Sequence, residues 1–224
     1  MIKRSMGVSP VHFIRQGMGE TPTLRKEKEN LMIRKAMVAV SMFVMMLAGA
    51  AQVRAADTYK IDPVHATVIY RISHFNVGNA YGRFNEPTGS VTVDNEDPSK
   101  SVFEFSVQVD KVDTANPKRD AHLKSPDFFN AKQFPTIDFK STKVAKKGDN
   151  QFELTGDLTL HGVTKSITFV ITKTGEGQHP QRKVPMTGWE AHVDLKRSDF
   201  GINGLQGAIG DDVNLTISFE ALKQ

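Results

Sequence analysis

Residues 151–171 alternate apolar and polar side chains, reverse at His161-Gly162, and alternate again. Phe152, Leu154, Leu158 and Leu160 share one face, with Gly156 in line between them, while Glu153, Thr155, Asp157 and Thr159 take the other. Ile167, Phe169 and Ile171 continue the apolar face on the return run. A strand sends successive side chains to opposite faces, so this period of two predicts a hairpin with one greasy and one wet side.

The same alternation recurs along the chain. Residues 59–74 place Val64, Val68, Tyr70 and Ile72 on one face, and 89–94 place Val91 and Val93 together. Residues 101–110 set Phe103, Phe105, Val107 and Val109 against Glu104, Ser106, Gln108 and Asp110. Ile137 and Phe139 repeat the pattern over 136–141, Trp189, Ala191, Val193 and Leu195 over 189–195, and Val213, Leu215, Ile217 and Phe219 over 213–219. Asn95-Glu96-Asp97-Pro98 and Lys146-Lys147-Gly148-Asp149-Asn150 read as turns. Asn116-Pro117 and Ser125-Pro126 each read as a cap followed by Pro at the first helical position, predicting a short helical insert. Residues 175–185 and 201–212 are expected to be long loops.

About eight strands with short connections predict an all-β, antiparallel fold. Closing such a sheet into a barrel removes its exposed edges; a two-sheet sandwich is the alternative. An eight-stranded barrel is either filled by its own side chains or holds one small ligand, and periodicity does not choose between them.

The N-terminus has a different character. Met32-Ile33-Arg34-Lys35 is basic, 36–51 is apolar and small, and Val53-Arg54-Ala55 offers small residues at the positions a signal peptidase reads. This predicts a secretory signal over 32–55 cut after Ala55, with an uncleaved membrane anchor as the alternative. Residues 1–31 are expected to lie outside the fold, leaving 56–224 as one barrel domain. Nine of the 29 basic residues and three of the 25 acidic ones precede residue 56, so the domain carries a net charge of −2. The basic balance belongs to the leader, and nothing points to nucleic acid. Cysteine is absent, so a secreted domain must be held by burial alone.

No nucleophile elbow, Gly-rich phosphate loop or HExxH is present, and no cofactor or metal site is expected. The carboxylates lie on wet faces and in turns; Asp199, Asp211 and Asp212 read as solvated.

Four ordered blocks carry a family resemblance. The first is Asp62-Pro63-Val64-His65-Ala66-Thr67-Val68 with Ile72-Ser73-His74 and Gly82-Arg83-Phe84. The second, most specific one is residues 119–129, RDAHLKSPDFF, followed by Phe134-Pro135-Thr136-Ile137. The third is residues 156–165, GDLTLHGVTK, and the fourth is Arg197-Ser198-Asp199-Phe200-Gly201-Ile202. Together they resemble the YceI-like family over about 59–222. Ala66 stands where many relatives carry Ser and Tyr70 where many carry Phe; the residues before Met32 have no counterpart. The resemblance implies a periplasmic, lipocalin-like barrel that binds a polyisoprenoid lipid, an isoprenoid quinone or a polyprenyl phosphate, and is linked to stress responses. It implies no enzyme activity. Its partners would be that lipid, a membrane contacted transiently during exchange, and a second copy if the protein forms a homodimer.

On that reading the tail would lie against Val68, Tyr70, Ile72, Phe103, Phe105, Val107, Ile137, Phe139, Leu158, Leu160, Ile167, Phe169, Trp189, Leu215 and Ile217. The residues alone favour the other reading, in which the same side chains fill a solid core. Arg119 and His122 on the insert are candidate head-group contacts, Arg119 toward a phosphate or a quinone oxygen. The alternative is that Asp120 and His122 only fix the insert. His74 is expected to face inward beside Tyr70 and Ile72, either toward a ligand oxygen or as a satisfied core histidine. His65 and His74 should lie on different faces, which argues against joint metal ligation, and His161 reads as turn chemistry. A ligand-free structural or stress protein and an enzyme acting on isoprenoids are the competing classes.

Overall fold

The computed structural model describes residues 22–47 and 56–224. Two units divide the chain, Met1–Val53 and Arg54–Gln224. The first contains helix α1 (Pro22–Leu47), which runs across the boundary expected at Met32. Among the described residues no helix is long and apolar enough to cross a membrane. The expected cut after Ala55 lies outside the described residues.

The second unit contains ten strands: β1 (Asp57–His74), β2 (Gly78–Phe84), β3 (Thr88–Val93), β4 (Val102–Gln108), β5 (Val112–Asp113), β6 (Thr136–Lys146), β7 (Gln151–Leu160), β8 (Val163–Gln178), β9 (Pro185–Lys196) and β10 (Ile209–Lys223). A short helix, α2 (Pro117–Leu123), separates β5 from β6. Eight strands close an antiparallel ring in the order β1-β10-β9-β8-β7-β6-β4-β3 and back to β1, so the ring has no free edge. β1 serves two neighbours on its other side, β3 through Asp57–Lys60 and β2 through Val68–His74. β2 carries β5 on its far edge. The barrel, its strand number and its helical insert are thus those expected.

Three local expectations need correction. Val64 is 80% exposed and Ile61 is buried instead, because pairing with β10 is interrupted between Ile61 and Ala66. That irregularity moves the inward face from odd positions before it to even positions after it, as a bulge does. The long loops are shorter than expected: β8 continues to Gln178 and β10 begins at Ile209. Ser125-Pro126 opens turns, not a second helix.

Gly156 is inward and extended, and a Cβ there would fall 2.6 Å from the Phe139 ring and 2.4 Å from the Lys140 carbonyl. The missing side chain gives Phe139 its place. The end of the barrel with the β3–β4, β6–β7 and β8–β9 turns is solid. Trp189 and Phe103 meet edge to face at 5.2 Å, Phe152 packs on Trp189 at 5.7 Å, and Val91, Leu154 and Ile171 have no exposed surface. Trp189 Nε1 donates to Thr187 Oγ1 at 2.9 Å, so this plug leaves no indole donor unpaired.

Candidate functional site: an apolar chamber under helix α2

The opposite end is hollow. A chamber of about 720 Å³ opens among the β1–β2 turn, α2 and the β9–β10 connection. Of the expected wall residues, Val68, Tyr70, Ile72, Val107, Ile137, Leu158, Leu160 and Leu215 line it. Below it lies a second void of about 90 Å³, which meets Phe105, Phe139, Ile167, Phe169 and Ile217. Val68, Val107, Ile137, Leu158, Leu195 and Leu215 border both, forming an apolar waist between chamber and deep pocket. Phe103 and Trp189 touch neither void, because they lie in the plug at the closed end.

Sequence patterning missed much of the upper wall. Leu123, Phe128 and Phe129 from the insert, Phe84 from β2, Phe200, Ile202 and Leu205 from the β9–β10 connection, and Ile209 at the start of β10 all face the chamber. Phe129 meets Phe84 edge to face at 5.5 Å, and Phe84 packs on Tyr70 at 6.0 Å. These residues lie in short segments without alternation, so their signal was the adjacent pair Phe128-Phe129 and membership of the family blocks at 119–129 and 197–202.

The helix that roofs the chamber is fixed by its sequence. Asn116 caps it, its Oδ1 accepting from the amides of Lys118 and Arg119 at 3.1 Å each. Pro117 takes the first helical position, where no N–H is needed. Asp120 accepts from the Thr114 amide at 2.9 Å and from its hydroxyl. Arg119 Nε donates to Thr114 Oγ1 at 2.8 Å and a terminal nitrogen donates to Thr114 O at 2.7 Å. Arg119 therefore helps anchor the roof, yet it lines the chamber with guanidinium donors to spare. His122 Nε2 lies 2.9 Å from Asp127 Oδ2 and its ring stands on Phe128 at 5.0 Å, also at the chamber rim.

His74 is corrected. It borders the chamber but is exposed at the rim, with Phe75 at 4.5 Å, because pairing of β1 with β10 slips between Ile72 and His74. It is not a core histidine. His65 is exposed and sits 2.9 Å from Asp62, away from the chamber. His161 performs the expected turn chemistry at φ +53, and its Nδ1 lies 3.1 Å from Phe200 O, tying the β7–β8 turn to the β9–β10 connection. Asp199 and Asp212 pair with Lys165 and Lys196, while Asp211 accepts from the Ser198 amide and hydroxyl.

Arg197 is the notable addition. Only 7% of it is exposed, and it lines the chamber. Its nitrogens donate to four backbone carbonyls: Gly210 O at 2.8 Å, Gly204 O at 2.7 Å, Ile209 O at 3.1 Å and Ile202 O at 3.2 Å. Burial pulls its guanidinium below the usual range, with Asp211 opposing the shift. A buried cation held by carbonyls orders the connection that forms one side of the mouth. Lys118, Arg119, Arg197 and the two histidines border the chamber, whereas among the described residues no carboxylate does. Tyr70 also lines the chamber and is buried, and loss of solvent pushes its phenol up to about 12.

The sequence relatives agree with this architecture. A YceI-like domain model matches residues 59–221. A UPF0312 protein of Pseudomonas aeruginosa is 38% identical over 195 residues, covering 86% of this chain and all of its own length. The crystal structure of the Campylobacter jejuni YCEI protein superposes with a TM-score of 0.61 at 28% identity, over 68% of this chain and 90% of that one. A polyisoprenoid binding domain from Saccharophagus degradans, implicated in plant cell wall breakdown, shares the fold with a TM-score of 0.58 at 12% identity, covering 76% of this chain and all of its own. With the match spanning the whole barrel from β1 to β10, the chain belongs to the YceI-like family.

Proposed function

We propose that this protein is a periplasmic carrier that holds a polyisoprenoid lipid, with the tail in the chamber and the head group at its mouth. The family is a binding and transport type, not an enzyme family. The observation that carries the proposal is the 720 Å³ apolar chamber, closed below by the Trp189 plug and open beside α2. Its size is typical of a ligand site. At about 30 Å³ per carbon-sized group it accommodates about 24 carbons, or roughly five isoprene units. Burying them is worth roughly 0.8 kcal/mol each, close to 20 kcal/mol before the cost of association, which is about 4–15 kcal/mol. The waist and the deep pocket would take the tail's end.

The cationic rim favours an anionic head group, such as a polyprenyl phosphate, over a neutral quinone. The likeness to the Saccharophagus polyisoprenoid binding domain supports the tail chemistry at the level of the fold. The basic, apolar and small-residue pattern over 32–55, read as a secretory signal, supports delivery to the periplasm. Delipidated protein titrated with a polyprenyl phosphate and with an isoprenoid quinone tests the reading. Saturable binding of the phosphate, tighter than the quinone and weakened when the tail is shortened below about five units, is expected. Binding of neither would exclude the proposal.

A further inference from the structure

We infer that the mouth of the chamber is a membrane-docking surface, with an apolar collar that enters the headgroup region of an anionic bilayer; the inference rests on the carrier reading of the chamber. Four large apolar side chains stand in solvent around one opening. Phe75 is 60% exposed, Val77 91%, Tyr81 57% and Leu205 54%. Tyr81 and Leu205 border the chamber directly, and Phe75 and Val77 sit beside His74 and Gly78, which also border it. The two loops are joined, since the Phe75 amide donates to Ala208 O at 2.6 Å.

Internal packing covers these residues only in part: Phe75 meets the exposed His74 ring at 4.5 Å, and Tyr81 and Leu205 touch only the chamber's rim. Phe75 and Leu205 hold left-handed backbone at φ +52 and +50, a region disfavoured for side chains of their size. Both the strain and the exposure cost stability, and neither side chain is buried in return. A layer of acyl chains would repay both by burying the collar.

The charges fit the same partner. Lys118 and Arg119 supply the fixed positive charge at the opening, with the imidazoles of His122 and His74 beside them; among the described residues no carboxylate lines the chamber, although Asp127 lies against His122 and Asp120 follows Arg119 on α2. The barrel domain is net negative, so this local excess of cations sets the mouth apart from the rest of the surface. Cations beside an apolar patch select an anionic lipid surface. Docked in this way, the chamber opens directly into the bilayer, and an insoluble tail can enter without crossing water.

The test is co-sedimentation of the full chain with vesicles of phosphatidylcholine alone and of phosphatidylcholine mixed with phosphatidylglycerol. Three variants accompany the wild type. Phe75→Asn, Val77→Ser and Leu205→Asn are combined in one; asparagine suits left-handed backbone, so the fold should be kept. Val77→Glu is the second, a charge at the most exposed position. Leu158→Trp, which narrows the chamber and leaves the collar intact, is the third. Wild type should bind the mixed vesicles more tightly than the neutral ones. The triple variant should lose about a hundredfold in partitioning, as expected for removing three partly inserted apolar side chains, while melting no earlier than wild type. Val77→Glu should lose about tenfold. Leu158→Trp should lose lipid cargo and keep vesicle binding. Equal vesicle binding by wild type and triple variant overturns the docking inference, even if Leu158→Trp shows that cargo is carried. Self-association abolished by the triple variant, without vesicle binding, overturns it too and assigns the collar to a second copy. Vesicle binding that depends on the collar in a protein that carries no lipid would remove the carrier reading and leave the docking surface.

Discussion

Replacing Leu158 by Trp separates a hollow barrel from a filled one. Leu158 lies on β7, is 7% exposed, and borders both the chamber and the deep pocket. The substitution adds six heavy atoms. Six water-sized groups would take roughly 180 Å³, and fused ring atoms take less, so the indole fills at most about a quarter of the 720 Å³ chamber. In a packed core, added volume on this scale costs about 1–3 kcal/mol or more, because side chains must leave their rotamers. In this barrel the indole enters empty space, so unfolding in urea should show stability unchanged or raised. The same atoms displace at most about six carbons of tail. At roughly 0.8 kcal/mol each this removes up to about 5 kcal/mol of binding, at most some three orders of magnitude for a tail that fills the chamber. Shorter tails should be affected little. Stability lowered by 3 kcal/mol together with undiminished affinity for long tails would refute the reasoning.

Other positions give sharp expectations. Arg197→Met strands four backbone carbonyls, one buried and three part-buried, and should cost about 3 kcal/mol in a denaturant melt; Arg197→Lys should not restore it, since an ammonium cannot span the same fork of acceptors. Gly156→Ala should destabilise by about 1–3 kcal/mol, because Phe139 and the Lys140 carbonyl occupy the Cβ site. Tyr70 should be neutral in the fold up to about 12, so its contribution is complete below the ordinary phenol pKa and lost as pH rises through the folded value. In an absorbance titration, Tyr70→Phe should therefore remove the step near pH 12. The hydrogen bond between His65 and Asp62 raises the histidine and lowers the carboxyl. Its stabilisation should be present between those two shifted values, failing as pH falls through Asp62's or rises through His65's. NMR titration of His65 should show its raised value fall in Asp62→Asn.

The fold was legible because a closed antiparallel barrel with one apolar face imposes a period of two on nearly every strand. Where that period failed, a physical cause is visible. β2 escaped notice because its inward positions are Ala80, Gly82 and Phe84, and Gly82 must lack a side chain: a Cβ there would lie 2.3 Å from the Tyr70 hydroxyl. The tyrosine fills its neighbour's place, and the hydrophobic signal of β2 disappears. Val64 was misplaced because the irregularity after Ile61 switches the inward face, and period-2 counting cannot detect an inserted residue. The candidate site was legible in part. Residues such as Leu158 and Val107 were identified as inward, but inward residues line a cavity or fill a core with the same spelling. The distinction depends on what comes from the opposite wall, and the residues that prop the upper chamber open, Phe128, Phe129, Phe200 and Arg197, lie in aperiodic segments. Arg197 in particular carries the polar spelling of a surface residue and is buried only because the β9–β10 connection wraps its carbonyls around it.

The central claim is that the chamber is built to be filled by a prenyl tail. Its most direct test is organic extraction of protein purified without detergent from the cells that make it, followed by mass spectrometry of the extract. A prenyl lipid recovered in amounts close to one per protein, and depleted in Leu158→Trp, is the predicted result. Protein that yields no lipid, and whose chamber takes up none when a prenyl lipid is offered, would contradict the account.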